Sequence, residues 1–273
     1  MYNSGKLLPL LLGCALLGLM LGNLSCRKDK NVDNGGEITF LFEHKVDGKP
    51  LVRDTMIYVN AASNPYEVDQ LQYFISDITL WKQGEKQVLL ADSAVHYVDL
   101  DIPSTLTWSP NQVFQAGSYD SLTFTFGLNK EKNVSNYFVD PPERDMFWPE
   151  VMGGGYHQMK MNGKWRTPTG EINPFNMHLG VGMMMDSLMN TIIIQNYFVV
   201  TLPLSNCSLH SSQSYRKFVI DMDINSWFET PNTWDWNVMG GMIMQNQDAM
   251  HKAAINGIDA FSVAFEAPGK TEK

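Results

Sequence analysis

The residues best suited to chemistry lie in one stretch, Met146–Gly163, where a glycine triplet precedes a strand-like run. In an extended chain His157, Met159 and Met161 project to one side, because side chains alternate with a period of two. Thioether sulfur favours Cu(I), imidazole accepts either copper oxidation state, and no carboxylate cluster in this stretch competes for a harder ion. The spacing therefore predicts a soft metal site, with copper as the metal.

Methionine is unusually frequent in the same region. The chain contains 17 methionines in 273 residues, and nine of them fall between Met146 and Met189. Two interpretations stay open at this point. The thioethers of Met146, Met159 and Met161 are metal ligands, or the methionines fill irregular gaps in a hydrophobic core.

Other histidines are weighed by their strand parity. His178 alternates with Phe175, Met177 and Leu179, so in an extended segment it points away from the core and is a second ligand candidate. His44 lies at the end of a strand and stays open as a further ligand. His96 is in phase with apolar neighbours and is interpreted as a core histidine. No role is assigned to His210 or His251.

Several function classes lack support in the sequence. With a formal net charge of −9 the chain has no bulk basic character, so nucleic acid is not expected as a partner. The metalloprotease, nucleophile-elbow and phosphate-loop motifs are missing. An alternative function is a surface module that binds glycans or a protein through Trp227, Trp234 and Trp236. The interpretation preferred to it is a metal-binding protein that is not an enzyme.

The elements that must position these residues are strands. Apolar residues alternate with polar ones in Ile38–Val46, Leu122–Leu128, Phe218–Ile224 and Phe261–Phe265. The segment Ile192–Leu202 is apolar on both faces, which favours a central strand. We therefore predict an all-β fold, an antiparallel two-sheet sandwich.

Two segments depart from this pattern. Asn129–Asn176 holds five prolines and five glycines and is predicted as a long irregular insert, a feature that is usually functional. Asn246–Ile258 has helical spacing and is predicted as one short C-terminal helix.

The N-terminus predicts export. Lys6 precedes an apolar run and the stretch N-L-S-C resembles a bacterial lipoprotein box, which implies lipidation of Cys26 and a membrane anchor. A box ending at Cys14 and an ordinary cleaved signal are the alternatives. Cys207 then lacks a disulfide partner and is interpreted as a buried apolar residue. The predicted organisation is a signal peptide at 1–25, a flexible tether at 26–36, a β-sandwich domain at 37–268 and a tail at 269–273.

The segments in order resemble the MbnP-like family of methanobactin-associated and related copper-binding proteins. The similar segments span nearly the whole exported chain, and none is diagnostic alone. They are I-T-F-L-F-E-H-K-V-D-G-K-P-L, L-Q-Y-F-I-S-D-I-T-L, V-H-Y-V-D-L-D-I-P-S, Y-D-S-L-T-F-T-F-G-L-N, M-F-W-P-E-V-M-G-G-G-Y-H-Q-M-K-M-N-G, F-N-M-H-L-G and A-M-H-K-A-A-I-N-G-I-D-A-F.

The resemblance implies a secreted β-sandwich that handles copper, in some members with a tryptophan oxidised to kynurenine and a dihaem cytochrome c peroxidase-like partner. Trp148 matches the first tryptophan of the family pattern M-x-W-x-W-x-x-G-Y, and His178 matches the histidine of its H-L-G turn. Glu150 replaces the second tryptophan, and extra glycines alter the spacing before Tyr156.

The resulting hypothesis is an outer-membrane lipoprotein of the cell envelope, periplasmic or surface-facing, that acquires or handles copper. His157 and His178 bind the metal in this hypothesis. Met159, Met161, Met146 or His44 complete its coordination.

Overall fold

The computed structural model describes residues 37–83, 85–89, 94–110, 114–209 and 215–266. The predicted signal peptide, Cys26, the tether, His210 and the predicted tail lie outside these ranges. Among the described residues, no helix combines the length and apolar character required to cross a bilayer.

Two sheets form the body of the domain, as the alternating segments predict. The first contains β1 (Glu37–Val46), β2 (Lys49–Pro50), β7 (Thr107–Trp108), β14 (Tyr215–Asp223) and β15 (Phe261–Glu266), in the order β15-β14-β1-β2 with β7 on β1. The second contains β3 (Tyr58–Val59), β4 (Pro65–Lys82), β5 (Glu85–Leu89), β6 (Val95–Asp99), β8 (Gly117–Phe126), β9 (Met159–Arg166), β10 (Ile172–Leu179) and β13 (Phe198–Leu209). Its order is β10-β9-β4-β8-β13, and β3, β5 and β6 pair with β4.

The core lies between the sheets because the longer strands each bury apolar side chains there. Phe40 and Phe42 of β1 are buried, as are Leu122, Phe124 and Phe126 of β8. These side chains belong to one continuous apolar cluster, which confirms the all-β sandwich. The pairing of β1 with β14 is parallel, so the sandwich is mixed rather than purely antiparallel.

Two short helices follow the strands near the C-terminus. The first, α1, covers Trp236–Met239, and the second, α2, covers Gln247–Ile258. The side chain of Asn246 caps α2 by accepting a hydrogen bond from the Ala249 N–H. The helix predicted from the spacing of Asn246–Ile258 is thus confirmed.

The predicted insert is only partly irregular. Its first half contains the 3-10 turns Glu143–Met146 and Glu150–Met152, whereas its second half forms β9 and most of β10. Two glycines of this half are compatible with strands. Gly170 lies in the tight Thr167–Gly170 turn that joins β9 to β10, and Gly163 lies where two backbones approach closely. At Gly163 an added Cβ would lie 2.0 Å from the Glu67 carbonyl oxygen of the neighbouring strand.

The prediction of one central strand over Ile192–Leu202 is wrong. The chain breaks at Gln195–Tyr197, and Asn196 takes a positive φ of 53°. The residues before the break form β12 (Thr191–Ile194), which pairs with β11 (Gly182–Met185) in a separate hairpin. After the break, β13 is the edge strand of the second sheet.

The tryptophans proposed as an exposed platform are buried. Trp227, Trp234 and Trp236 are each no more than 2% exposed, and Trp236 stacks on Phe175 with ring centroids 4.7 Å apart. The structure therefore contradicts the alternative of a glycan or protein surface made from these side chains. Cys207 is buried and free, as predicted.

Candidate metal centre

Three aromatic side chains from distant positions meet beside the edge of the second sheet. The imidazoles of His157 and His178 have ring centroids 5.1 Å apart and nearly perpendicular planes, at 85°. Trp148 packs edge-on against His157 with centroids 4.7 Å apart. His157 is 5% exposed and Trp148 is fully buried. These two side chains are thus shielded from solvent, His178 is half-buried, and the cluster contains two ring systems able to bind a metal.

Strand pairing positions His178. Residues that face each other across β9 and β10 share one side of the sheet, and His178 faces Lys160 while Leu179 faces Met159. Phe175, Met177 and Leu179 are buried in the core. His178 therefore points away from the core, as its strand parity predicts.

A glycine turn positions His157. Gly153, Gly154 and Gly155 all have positive φ, between 70° and 108°, a conformation that side chains with a Cβ rarely adopt. The turn reverses the chain so that the backbone N–H of Trp148 donates to the Gly155 carbonyl at 2.8 Å. The His157 N–H then donates to the Met146 carbonyl at 2.7 Å, which holds the backbone of His157 just before β9 begins.

Hydrogen bonds determine which ring nitrogen carries the proton. His157 Nδ1 lies 2.9 Å from the Met146 carbonyl oxygen. A carbonyl can only accept, so Nδ1 is the protonated nitrogen and Nε2 carries the lone pair. Nε2 of His157 is buried without a hydrogen-bond partner among the described residues. Such an atom is unfavourable in a folded protein unless something else satisfies it.

His178 is held in a similar way. Its Nε2 lies 2.8 Å from Asn162 Oδ1, and the Asn162 amide in turn donates from Nδ2 to Gln70 Oε1 at 2.8 Å. This second bond orients the amide so that its oxygen faces the histidine. Nε2 therefore donates, and Nδ1 of His178 carries the lone pair. Both histidines thus follow the arrangement common for metal-binding imidazoles, in which one nitrogen donates to an oxygen of the protein.

Burial keeps both imidazoles neutral. Together with the positive charge of Lys160, it lowers the pKa of His157 from 6.5 to about 3 and that of His178 from 6.5 to about 4. At neutral pH neither ring is an imidazolium, so each already has a free lone pair and no proton has to leave before a metal binds.

The donor set of the site is small. The described residues contain no group of three or more histidines, cysteines, aspartates or glutamates placed to share a metal. Structural zinc takes four protein ligands and catalytic zinc usually takes three. Two neutral imidazoles fit Cu(I) better, since it is a soft ion that does not require four ligands.

The thioethers predicted to complete the site lie elsewhere. Met159 and Met161 face Leu179 and Met177 on the core side of the sheet, opposite to His178. The expectation that they project together with His157 is corrected, because the regular alternation of β9 begins only at Met159. The side chain of Met146 belongs to a second apolar cluster with Phe74, Tyr97, Leu128 and Tyr156. Met146 contributes to the site through its carbonyl oxygen.

His44, the fourth candidate to complete the ligand set, lies in β1 of the other sheet. Its Nε2 lies 3.0 Å from the Tyr73 hydroxyl, and its ring packs edge-on against the Tyr73 ring. No contact joins it to His157 or His178 among the bonds and ring pairs of the described residues. His44 is therefore interpreted as a core histidine rather than a ligand.

His44 makes the stability of the fold depend on pH. Burial lowers its pKa from 6.5 to about 4, so below pH 6.5 the unfolded chain takes up a proton that the folded protein does not. Stability is therefore lost as the pH falls from 6.5 towards 4. We expect His44 alone to account for a loss of about 2 kcal/mol between pH 7.5 and pH 5. Urea unfolding of the wild type and of His44→Gln at both pH values measures this difference, and equal losses in the two proteins would contradict it.

Lys160 places a positive charge beside the imidazoles. Its ammonium donates to the Asp145 carbonyl at 2.7 Å and lies on the same side of the sheet as His178. We expect Lys160→Met to raise the affinity for copper about 5- to 10-fold, because the variant removes a like charge from the cation site. Lys164→Met on the same strand is the matched control, since its ammonium pairs with Glu67. Competition titrations that give equal affinities for the two variants would refute this role of Lys160.

Sequence reasoning did not identify Asn162, Gln70 or Lys160 as part of the site. In the strand that begins at Met159, Lys160 and Asn162 alternate with the buried methionines, which predicts that both side chains face outward. This alternation was the signal in the sequence that could have identified them. Their contact with His178 depends on the register of β9 against β10, which the pattern of one strand does not define.

Comparison with known proteins relates this geometry to a family. The family model described as MbnP matches residues 35–247. Among solved structures, MbnP from Methylosinus trichosporium aligns with a TM-score of 0.53 at 15% identity, over 85% of this chain and 99% of that chain. This likeness concerns the fold alone, and no curated protein sequence matches. Because the family match covers well over half of the sequence, the chain belongs to the MbnP family.

Proposed function

We propose that this protein binds copper through His157 and His178 and acts in copper acquisition or handling. The observation that carries the proposal is the buried, unpartnered Nε2 of His157 beside the ring of His178. A metal ion would satisfy this atom, whereas the described structure supplies it with no donor. The proposed role is binding and delivery rather than catalysis.

The chemistry of the pair supports a soft ion. Both rings are neutral at physiological pH, and each has one nitrogen that donates to a protein oxygen. This leaves Nε2 of His157 and Nδ1 of His178 as the donors. The neighbouring Lys160 charge disfavours a divalent ion more than a monovalent one, so Cu(I) is the proposed state of the cargo.

X-ray absorption of the copper-loaded protein tests the proposal. In protein loaded with one copper per chain, we expect a first shell of nitrogen and the outer-shell scattering typical of imidazole. Elemental analysis of the same sample gives the stoichiometry. A protein that retains no copper, or a first shell made of sulfur alone, would overturn the assignment of the two histidines.

The cellular setting remains a proposal that rests on the N-terminal sequence. Cys26 is proposed to carry the lipid that anchors the protein to the outer membrane of the envelope. The family resemblance also implies a dihaem cytochrome c peroxidase-like partner and oxidation of Trp148. The edge contact of Trp148 with His157 favours this tryptophan as the target. A kynurenine mass increment on the peptide that contains Trp148, in protein from the native envelope, is the expected sign.

A further inference from the structure

The methionine-rich region divides into two groups in the structure. Met146, Met159, Met161 and Met177 are at most 1% exposed and core packing accounts for them, whereas Met152 is 8% exposed and also lines a cavity. Met183, Met184, Met185 and Met189 are 43%, 45%, 63% and 75% exposed. Core packing does not explain this second group, which supplies three of the four residues of β11 and one residue of the turn between β11 and β12.

The hairpin is well formed although its side chains are exposed. Gly182–Met185 pairs with Thr191–Ile194 in regular antiparallel register. At its turn the Asp186 carboxylate accepts hydrogen bonds from the backbone N–H groups of Leu188 and Asn190, both at 2.8 Å. Its apolar residues are therefore held outward by a stable turn, and an exposed apolar surface of this kind usually has a binding role.

A cavity of about 320 Å³ lies at the root of the hairpin, lined by Val151, Met152, Val181, Met183 and Gln245. Two thioethers and one amide are the side chains in this lining that can donate electron pairs. None of the five lining side chains is charged, so a hard divalent cation would lack anionic oxygen ligands. Thioether pairs select Cu(I) among biological metals.

The cavity adjoins the imidazole pair through Trp148. The carbonyl oxygen of Met152 accepts the indole N–H of Trp148 at 3.0 Å, and the same indole packs against His157. Val181 is three residues beyond His178 along the chain. Met152, which lines the cavity, is thus connected to the proposed ligand His157 through one indole.

Two other uses of the hairpin fit the observations less well. Insertion into lipid would bury the turn, where hydrogen bonds from Asn190 lower the pKa of Asp186 and keep it ionised. A purely apolar protein contact would be served equally by leucine, whereas four of the exposed residues carry sulfur. The use of methionine in both the cavity lining and the hairpin points to the thioether itself.

We propose that Met152 and Met183 form a second soft-metal site, which captures Cu(I) at the root of the hairpin before it reaches His157 and His178. The delivery role rests on the proposed function, although binding at the cavity does not. Movement of Cu(I) from the thioethers to the imidazoles exchanges neutral ligands, so no electron or proton is transferred.

Silver provides the test because Ag(I) is a soft monovalent ion that does not change oxidation state. The full chain carrying His157→Ala and His178→Ala is labelled with 13C-methyl methionine and titrated with Ag(I). We expect the methyl resonances of Met152 and Met183 to shift together with one equivalent. Adding Met183→Leu should remove these shifts and weaken Ag(I) binding at least about tenfold, the smallest loss typical of a disturbed metal site.

Met184→Leu is the matched control. Met184 lies in the same strand at similar exposure, but its side chain points to the other face of the hairpin. Leucine keeps the apolar volume of methionine in both variants, and the thiols of the chain are unchanged. Unperturbed methyl resonances elsewhere show that each variant is folded. Equal Ag(I) binding by the Met183→Leu and Met184→Leu proteins would overturn the cavity site.

The design also separates this proposal from the proposed function. If the imidazole site does not exist, the protein with both histidines intact binds no more Cu(I) than the double histidine variant, while the Met183→Leu effect persists. If the cavity site does not exist, the histidine-dependent copper remains and the Met183→Leu effect is lost.

Discussion

Replacing His157 and His178 together by alanine is expected to weaken copper binding by a factor of about 100 or more, since outer-sphere partners of such ligands alone contribute 10- to 100-fold. The two rings are the one pair of imidazoles among the ring contacts of the described residues. Removing them leaves Trp148 and the cation of Lys160, neither of which replaces an imidazole as a ligand. Competition between the protein and a chromophoric Cu(I) chelator measures the loss.

His251→Ala provides the control for this experiment. His251 is an exposed residue of α2 and has no role in the proposed site. Its variant should bind copper as the wild type does, which shows that the loss is specific to His157 and His178. Thermal unfolding must show that the double variant remains folded, because His157 is buried. A folded double variant with unchanged copper content would refute the assignment of both histidines.

Much of the fold could be predicted because it follows local alternation. Each strand that buries one face repeats its apolar residues with a period of two, so β1, β8, β14 and β15 were identified from their own residues. The same rule correctly directed His178 away from the core. The capped helix after Asn246 is likewise local, since the cap and the helical spacing lie within a few residues.

The parts that were missed depend on breaks in regular structure. The alternation rule grouped His157 with Met159 because it assumes that a strand continues through both residues. The positive φ values at Gly153–Gly155 place a turn before His157, and regular pairing starts only at Met159. The break at Asn196 had the same effect on the apolar segment Ile192–Leu202, whose two halves belong to different sheets.

The composition of the site also could not be derived from one strand alone. Asn162 reaches His178 through cross-strand neighbours, and Gln70 reaches Asn162 through the pairing of β4 with β9. These contacts arise from the register between strands, and Gln70 and Asn162 are 92 residues apart in the sequence. Local patterns predict the face on which a residue lies, while register decides which residues share that face.

Gly180→Ala is expected to destabilise the protein by about 3 kcal/mol, the upper end of the range typical for overpacking a core. A Cβ at this position would lie 2.3 Å from Cε3 and 2.4 Å from Cζ3 of Trp148. The indole ring is rigid, fully buried and held by its N–H bond to the Met152 carbonyl, so it cannot move aside without breaking that bond. Gly117→Ala is the control, because its Cβ would meet only Lys82 Nζ at 3.7 Å.

The same substitution should also weaken copper binding, because Trp148 packs against His157. Displacing the indole removes the contact that orients the imidazole, and ligand orientation affects metal affinity strongly. Urea unfolding and copper competition measure the two effects on one protein. In the Trp148→Leu background the added cost of Gly180→Ala should fall below about 1 kcal/mol, since the clashing ring is absent. If Gly180→Ala still destabilises the protein by about 3 kcal/mol in that background, the clash does not involve Trp148, and the proposed link between Gly180 and the metal centre is wrong.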